Sequence, residues 1–268
     1  MIIVNLFDKS LWDIWIEGSH YNTTPKTRMT VANWCVASKA DLCFNLALFN
    51  LNNGNTITYV HNANGDIGYG NDKSNLVRLN DQNWCRGYSN GIINGTTTVN
   101  APLGGARTRN GIGLTKSGKI IIAQCNSRMY EKSFCNSVNN FVKKQGEFVD
   151  IFVLQDGGAS TSMYSNISKL SFAPEGGRKV ATVVCLKRKY SGTFRVNRQL
   201  KYRCKGEDVK LLQQFLGGIE VDGSFGRGSA GTEQRVKAFQ RKMGLKQDGI
   251  CGPATLKALG IQYISSTI

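Results

Sequence analysis

The chain has 268 residues, of which 41% are hydrophobic, with 30 Gly and only 4 Pro. This composition excludes a disordered chain and is typical of a globular protein rich in loops. Lys and Arg number 34 against 18 acidic residues. The formal net charge of +16 favours anionic partners such as nucleic acid, anionic lipid or the teichoic acids of bacterial walls. The basic residues are scattered without an arginine-rich arm, so we expect no nucleic-acid partner.

The N-terminal residues lack the features of a secretory signal. Met1–Lys9 has no basic residue before its apolar run, and Asp8 interrupts that run early. No apolar stretch approaches the ~18 residues of a membrane span. We therefore expect no membrane span and synthesis in the cytoplasm, so that action outside the cell would need another exit route.

Cysteine and histidine patterns do not predict a metal site. The eight cysteines include no Cys-x-x-Cys pair, and Cys43, Cys125 and Cys185 lie in apolar segments, which predicts buried free thiols. The two histidines, His20 and His61, are too far apart for a zinc motif. A nucleophile paired with either histidine stays open but has no supporting motif. We expect no metal and no cofactor.

Apolar periodicity predicts several elements in the first part of the chain. Alternation predicts a strand at Leu11–Ile16, whereas Thr30–Lys39 fits either a helix or a strand. Ala40–Asn50 is a nearly continuous apolar run and predicts a buried strand. It is interrupted by Asn45, whose amide belongs either to a structural network or to a ligand site. Thr56–Val60 predicts a further strand.

Arginines stand at the start of two later strands. A hairpin is predicted with strands at Ala106–Leu114 and Lys119–Ala123, and Arg109 lies near its start. Arg178 precedes the predicted strand Val180–Leu186. The planar guanidinium suits bidentate phosphate binding, and a solvated arginine at a strand end is the structural alternative.

A polar, glycine-rich stretch follows a predicted helix at Ser133–Lys144 and a predicted buried strand at Phe148–Val153. Its chemistry-bearing residues are Asp156, Gly157, Gly158, Ser160 and Thr161. Glycines allow close backbone approach to a ligand, and the carboxylate and hydroxyls suit sugar binding or acid–base work. The same sequence also fits an ordinary turn after a strand.

Four elements in this order resemble the motifs of the phosphodiester glycosidase family. They are Asn45–Phe49, Arg109–Gly113, Asp156–Met163 and Arg178–Ala181, and the resemblance spans roughly residues 30–186. Leu46 and Ala47 depart from the family pattern, which has two glycines there. The larger Leu46 side chain is expected to narrow or remodel the pocket.

The resemblance implies cleavage of a sugar-1-phosphodiester at the anomeric carbon. Asp156 would act as nucleophile, base or electrostatic stabiliser, and Arg109 and Arg178 would bind the phosphate. The remaining implied substrate-binding residues are Asn45, Gly157, Gly158, Ser160 and Thr161. Phosphate is a good leaving group, so such a site needs anion stabilisation more than a strong general acid.

The composition changes after Leu186, where a basic and polar segment predicts a linker that includes Ser191–Gly192. Three amphipathic helices are then predicted at Glu207–Leu216, Thr232–Met243 and Pro253–Leu259. Thr232 is expected to cap the second helix, and Val236, Phe239 and Met243 to share its buried face. Two copies of an Asp-Gly-x-apolar-Gly turn lie about 26 residues apart and indicate an internal repeat.

This C-terminal block resembles a peptidoglycan-binding domain over about residues 203–260. The resemblance implies binding to the bacterial cell wall, and we single out Asp222, Phe225 and Asp248 as wall-binding candidates. A Gly-Ser-Ala-Gly insertion at 228–231 departs from the family pattern, which lengthens a loop at little thermodynamic cost.

Together these features predict an α+β protein with a strand-rich catalytic domain at 1–188, a linker at 189–203 and an all-α three-helix domain at 204–268. The expected function is a wall-targeted glycosidase of phage-endolysin type, which acts on peptidoglycan or teichoic acid after release. Two alternatives stay open. One is a muramidase or other wall-lytic enzyme, and the other is a non-catalytic wall-binding protein.

Overall fold

The structure is a computed structural model, and it describes residues 2–20, 22, 26–68, 70, 72–99, 105–189 and 195–264. The strands among these residues are Ile2–Phe7 (β1), Trp12–Gly18 (β2), Leu42–Asn45 (β3), Val60–Asn62 (β4), Gly65–Asp66 (β5), Val77–Arg78 (β6), Trp84–Cys85 (β7), Ser89–Ile93 (β8), Thr96–Thr97 (β9), Asn110–Thr115 (β10), Ile120–Cys125 (β11), Val149–Gln155 (β12), Met163–Ser165 (β13), Leu170–Phe172 (β14), Thr182–Arg188 (β15), Arg195–Val196 (β16) and Gln262–Tyr263 (β17). The helices are Val31–Ala37 (α1), Glu131–Lys144 (α2), Glu207–Leu216 (α3), Thr232–Lys242 (α4) and Pro253–Ala258 (α5).

Two antiparallel sheets form most of the N-terminal region. One is six-stranded in the order β1-β11-β10-β12-β8-β9, and the other is five-stranded in the order β14-β13-β3-β15-β2. A smaller four-stranded sheet has the order β5-β4-β7-β6. The predicted fold class, a strand-rich α+β region followed by a helical C-terminal region, is confirmed.

The two large sheets pack face to face, and each carries a helix on its outer face. In β11, Ile120 belongs to the central core, whereas the adjacent Ile121 packs with Phe134 of α2 on the other side. On the second sheet, Cys185 of β15 packs with Trp34 of α1. This alternation produces four layers in the order helix, sheet, sheet, helix.

Several predicted elements are confirmed with small shifts at their ends. The hairpin is formed by β10 and β11, the strand before Asp156 is β12, and the final strand of the region is β15. The predicted helix is α2, which begins at Glu131. Thr30–Lys39, which the sequence left open, contains α1. Thr30 caps this helix by accepting a hydrogen bond from the Asn33 amide at 3.3 Å.

The strand predicted over Ala40–Asn50 is too long, since β3 ends at Asn45. Beyond Asn45, the Leu46 amide still donates to the carbonyl of Thr182 at 3.1 Å. The next amide, that of Ala47, donates instead to the side-chain hydroxyl of Thr182 at 3.0 Å. The side chain of Thr182 therefore replaces the strand partner and ends the ladder.

The strand predicted over Thr56–Val60 is wrong in position, because β4 begins only at Val60. Thr56 makes isolated bridges to Phe49 and Gly68. A β-carbon at Gly68 would lie 1.9 Å from the Thr58 carbonyl oxygen, so the two backbones approach too closely for a regular ladder.

The three C-terminal helices are confirmed, but two details of α4 are wrong. Gly231, not Thr232, is its N-cap, and the Thr232 hydroxyl accepts a hydrogen bond from Gln213 at 3.1 Å in the interior. Phe239 is buried as predicted, whereas Met243 is 42% exposed. A pattern of apolar residues gives the face of a helix but not whether another element covers it.

Of the segment predicted as a linker, residue 189 and residues 195–203 are described, and Ser191–Gly192 lies outside the described residues. Its second half joins the C-terminal fold, because β16 pairs with β17 and Leu200 exchanges two hydrogen bonds with Cys251. The side chains of Val196 and Leu200 are buried.

The C-terminal helices share the central core with the two large sheets. The ring of Phe215 in α3 lies edge to face with Trp12 of β2, with centroids 6.3 Å apart. The hydroxyls of Ser165 and Ser168 donate to the carbonyls of Phe215 and Leu216 at 2.8 and 2.9 Å. These bonds satisfy carbonyls at the C-terminal end of α3 that the helix itself leaves unpaired.

Candidate functional site

The backbone of Asp156 is fixed by residues from the neighbouring sheet. Its amide donates to the carbonyl of Leu46 at 3.1 Å, and its carbonyl accepts from the side chain of Asn45 at 2.7 Å. Asn45 is 1% exposed, and its amide oxygen accepts from Gln124 and from the Ser162 amide. The structure therefore favours the network alternative for Asn45, whose amide positions Asp156.

The two glycines after Asp156 have different surroundings. A β-carbon at Gly157 would lie 2.5 Å from the Thr108 carbonyl oxygen, so this glycine permits contact between two segments of the protein. Gly158 has φ +59°, and a β-carbon there would meet nothing within 4 Å, which leaves room for a ligand beside it. Ser160 and Thr161 are fully buried, and the Thr161 hydroxyl has no hydrogen-bond partner among the described residues.

Burial raises the pKa of Asp156 from its ordinary 3.8 to about 6. The Ser160 hydroxyl, the charge of Arg178 and the Gly157 amide lower this pKa and partly offset the effect of burial. Arg178 is exposed, and its backbone is held by a hydrogen bond to the Ala159 carbonyl at 2.9 Å. A carboxyl group that titrates near neutral pH suits proton transfer.

Arg109, a predicted phosphate ligand, has a buried guanidinium that is already bonded to the protein. Its Nη1 lies 3.0 Å from Glu131 and donates to the hydroxyl of Tyr88 at 3.2 Å, and its Nε donates to the carbonyl of Met129 at 3.1 Å. Tyr88 in turn donates to Glu131 at 2.8 Å. A substrate phosphate at Arg109 would compete with Glu131, which is 0% exposed.

A cavity of about 220 Å³ joins these groups. It is lined by Leu48, Tyr88, Arg107, Arg109, Glu131, Asp156 and Gly157. A larger cavity of about 430 Å³ lies where the two regions meet, but its charged lining is largely committed to ion pairs such as Lys210–Glu207. We take the smaller cavity as the candidate site because it combines a carboxyl of raised pKa with a tyrosine and arginines.

The sequence analysis missed two members of this cavity, Tyr88 and Glu131, and it noted Arg107 only as the arginine beside Arg109. Tyr88 reaches it because β8 pairs with β12, and its own amide donates to the carbonyl of Leu154 at 3.0 Å. Glu131 opens α2, where an acidic residue is ordinarily explained by the helix dipole. Only Arg107, two residues before Arg109, carried a signal in the sequence.

Other side chains that could react or bind a metal lie in the sheets. His61 bonds to Asp66 at 2.7 Å and stacks on Trp84. The predicted buried thiols are confirmed, and the sulfurs of Cys43 and Cys185 lie 3.1 Å apart.

Within the described part of the chain, no group of three or more His, Cys, Asp or Glu is arranged to hold a metal ion. Among the same residues, no helix has the length and apolar character required to cross a membrane.

The first repeated turn of the C-terminal region is organised by one glutamine. Gln213 Nε2 donates to Asp222 Oδ1 at 2.7 Å, to the Ser224 carbonyl at 3.1 Å and to the Thr232 hydroxyl at 3.1 Å. Its Oε1 accepts from the Gly223 amide at 2.9 Å. The side chain therefore fixes the turn to α3 and α4.

The second turn reproduces this network. Gln240 Nε2 donates to Asp248 Oδ1 at 3.0 Å, to the Ile250 carbonyl at 2.9 Å and to the Thr255 hydroxyl at 3.2 Å. Its Oε1 accepts from the Gly249 amide at 2.9 Å. The internal repeat seen in the sequence is thus a repeat of hydrogen bonds.

The predicted wall-binding residues differ in their access to solvent. Phe225 is 1% exposed and packs in the core, so its position favours a structural role. Asp222 and Asp248 each use one carboxylate oxygen inside their turn. Asp248 also borders two surface cavities of about 350 and 200 Å³.

Comparisons with known proteins give one family match and two similar solved structures. Residues 205–259 match the model of a putative peptidoglycan binding domain. A search of curated proteins finds no match. Among solved structures, the catalytic domain of zebrafish N-acetylglucosamine-1-phosphodiester alpha-N-acetylglucosaminidase, auto-inhibited by its pro-peptide, is similar with a TM-score of 0.53 and 14% identity, over 69% of this chain and 83% of that one.

A hypothetical protein from Synechocystis is also similar, with a TM-score of 0.47 and 9% identity over 69% of this chain and 58% of that one. The likeness to the zebrafish protein shows a shared fold. The match over 205–259 supports a peptidoglycan-binding domain and associates the chain with the cell wall.

Proposed function

We propose that the chain is a glycosidase that hydrolyses a sugar-1-phosphodiester in a bacterial wall polymer while its C-terminal domain holds it on the wall. The observation that carries this proposal is the placement of Asp156, with its pKa near 6, in one cavity with Tyr88 and Arg109. The fold is shared with an enzyme whose name specifies an N-acetylglucosamine-1-phosphodiester as substrate.

The groups in the cavity fit the requirements of this reaction. The bond between the anomeric carbon and the phosphate oxygen breaks, a water oxygen bonds to that carbon, and a phosphate monoester leaves. Arg178 is exposed near Asp156 and supplies a cation for the leaving phosphate. Of the three roles open to Asp156, the raised pKa favours that of a base that accepts a proton from the attacking water.

The proposed setting follows from the pairing of a cavity suited to hydrolysis with a wall-binding domain. A domain that binds an insoluble polymer raises the effective concentration of the enzyme at its substrate. We propose that the protein acts as a lysin of phage type, made inside the cell and active at the wall after release. Teichoic acid, which contains phosphodiester links, is the proposed substrate class.

The test is turnover of a soluble methyl diester of N-acetylglucosamine-1-phosphate, followed by release of reducing sugar. Asp156→Asn should lower the rate by about 10²–10⁴-fold, because it removes the proton acceptor. Asp150→Asn is the matched control, since Asp150 lies in the same strand and forms a surface pair with Lys116 at 2.7 Å. An Asp156→Asn variant that folds and keeps the full rate would contradict the proposal.

A muramidase is the second candidate, because the structure places a second carboxylate, Glu131, in the cavity with Asp156. Glu131 is fully buried and bonded to Arg109 and Tyr88, an environment that does not suit a free general acid. Mass analysis of the products from purified peptidoglycan and from teichoic acid, digested separately, distinguishes the two. Binding without any product would favour a non-catalytic wall-binding protein.

A further inference from the structure

The segment that enters the C-terminal domain carries an excess of positive charge. Its basic residues between positions 195 and 210 are Arg195, Arg198, Lys201, Arg203, Lys205 and Lys210. Arg198 is paired with Asp208 at 2.7 Å and Lys210 with Glu207 at 2.8 Å. Lys201, Arg203 and Lys205 are exposed and have no carboxylate partner among the described residues.

Two of the arginines on this surface converge on one aromatic ring. Tyr202 is 38% exposed, and the guanidinium carbons of Arg203 and Arg227 lie 5.4 and 4.3 Å from its ring centroid. Arg203 has φ +74°, and its amide donates to the Phe225 carbonyl at 3.1 Å, so its backbone is held in an uncommon conformation. Stacking on the ring restricts both guanidinium groups before any ligand binds.

A cavity of about 200 Å³ lies beside this ring. It is lined by Lys201, Tyr202, Arg227, Glu233, Asp248, Gly249 and Ile250. Both carboxylates in it are committed internally, because Glu233 is paired with Arg227 and Lys237 at 2.7 and 2.9 Å. Asp248 accepts hydrogen bonds from Gln240 and from the Ile250 amide.

We propose that Lys201, Tyr202 and Arg203, which we call the Tyr202 patch, bind a phosphodiester-linked polyanion of the cell wall, while Arg227, paired with Glu233, holds the far side of the Tyr202 ring. Guanidinium groups match phosphate oxygens in geometry, and an aromatic face packs against the carbon chain of a polyol or sugar between two phosphates. The inference deepens the wall-binding half of the proposed function and rests on it.

The test measures binding of the full chain to purified poly(glycerol phosphate), in the Asp156→Asn background so that turnover cannot intervene. The variant Lys201→Gln/Arg203→Gln removes two charges from the patch. The matched control is Lys132→Gln/Lys143→Gln, which removes two charges from exposed positions of α2. We expect the patch variant to lose about tenfold or more in affinity at low salt and to show a weaker salt dependence, with less than about twofold loss in the control.

A third variant, Tyr202→Leu, keeps the net charge and should also weaken binding if the ring contributes. Equal losses in the patch and control variants would overturn the proposal, because they would indicate long-range charge alone, and so would an absence of polymer binding by the parent protein. Co-sedimentation with peptidoglycan free of the polymer is measured in parallel. Failure there by the parent protein would contradict the wall-binding function, whereas success there without polymer binding would overturn the Tyr202 patch only.

Discussion

The two regions of the molecule build their sites over very different distances in the sequence. Every hydrogen bond of the Gln213 side chain joins it to a residue at most 19 positions away. In the Asp156 cavity, the Asn45 side chain bonds to a residue 111 positions away, and Tyr88 bonds to Glu131 across 43 positions. The C-terminal network therefore joins residues that are close in the sequence. The cavity joins residues that are far apart and meet only when the sheets assemble.

The two copies of the C-terminal repeat have the same internal hydrogen bonds but different surroundings. Their hydrogen-bond networks are alike, but Leu216 at the end of α3 is fully buried, whereas Met243 at the equivalent end of α4 is 42% exposed. The first helix end packs against Ser165 and Ser168 of the N-terminal region. One copy therefore joins the two regions, whereas the corresponding helix end of the other copy is exposed to solvent.

The largest loss of stability is expected when a buried charge of the cavity is removed. Glu131→Gln would leave the guanidinium of Arg109 buried without a counter-charge, which should lower the free energy of unfolding by about 3–5 kcal/mol. Urea denaturation measures the loss. Glu207→Gln, which breaks an exposed ion pair in the C-terminal region, should change the free energy of unfolding little. Equal effects of the two substitutions would contradict the contrast between a buried site and a solvated one.

The titration of Asp156 should make the stability of the protein depend on pH. Its pKa is raised in the folded protein to about 6 from 3.8, so the folded state binds more protons than the unfolded chain between these values, and stability falls as pH rises through this window. Asp156→Asn should remove this decline and raise the free energy of unfolding at pH 7 by about 1–3 kcal/mol. Urea denaturation at pH 4 and pH 7 gives the comparison, and parallel pH profiles for the two proteins would refute it.

The equivalence of the two repeated networks can be tested directly. Gln213→Leu and Gln240→Leu each remove four hydrogen bonds and leave a glycine amide unsatisfied, and each should cost about 2 kcal/mol. Gln247→Leu, at an exposed position, is the control and should have little effect. Costs that differ strongly between the two glutamines would show that only one copy stabilises the domain.

The smallest effect concerns the contact between the two regions. Ser165→Ala removes the hydrogen bond to the Phe215 carbonyl and should cost about 1 kcal/mol. Because the two regions share one hydrophobic core, thermal unfolding followed by circular dichroism should still show a single transition. Ser137→Ala, on the exposed face of α2, serves as the control. Separate transitions for helical and strand-rich regions would contradict the shared core.

The sequence predicts the elements of this fold better than their contacts. The bounds of α3 match the prediction, since the spacing of its apolar residues is a local property. The failures have non-local causes. The segment Thr56–Val60 is displaced by the close approach of Gly68, and Met243 is exposed because no described segment covers the end of α4.

The candidate site also has residues that the sequence predicts and residues that it does not. The motifs that resemble the glycosidase family bring Asp156 and Arg109 to one cavity, but their spacing could not reveal that Glu131 neutralises Arg109. Tyr88 enters the cavity through the register in which Ser89 lies opposite Leu154. Such a register is set by the packing of whole sheets and is not encoded near either residue.

Met163 begins β13, shortly after the Asp156 loop, and its sulfur accepts a hydrogen bond from the Gly218 amide at 3.0 Å. The preceding residue, Gly217, has φ +61°, and a β-carbon there would lie 2.6 Å from the terminal methyl group of Met163. The strand that leaves the proposed catalytic loop therefore abuts the end of the first wall-binding helix. Under the proposed function, this contact would set the distance between the cleaved link and the point of attachment, and progress along the wall would be limited by the rate at which the attachment dissociates.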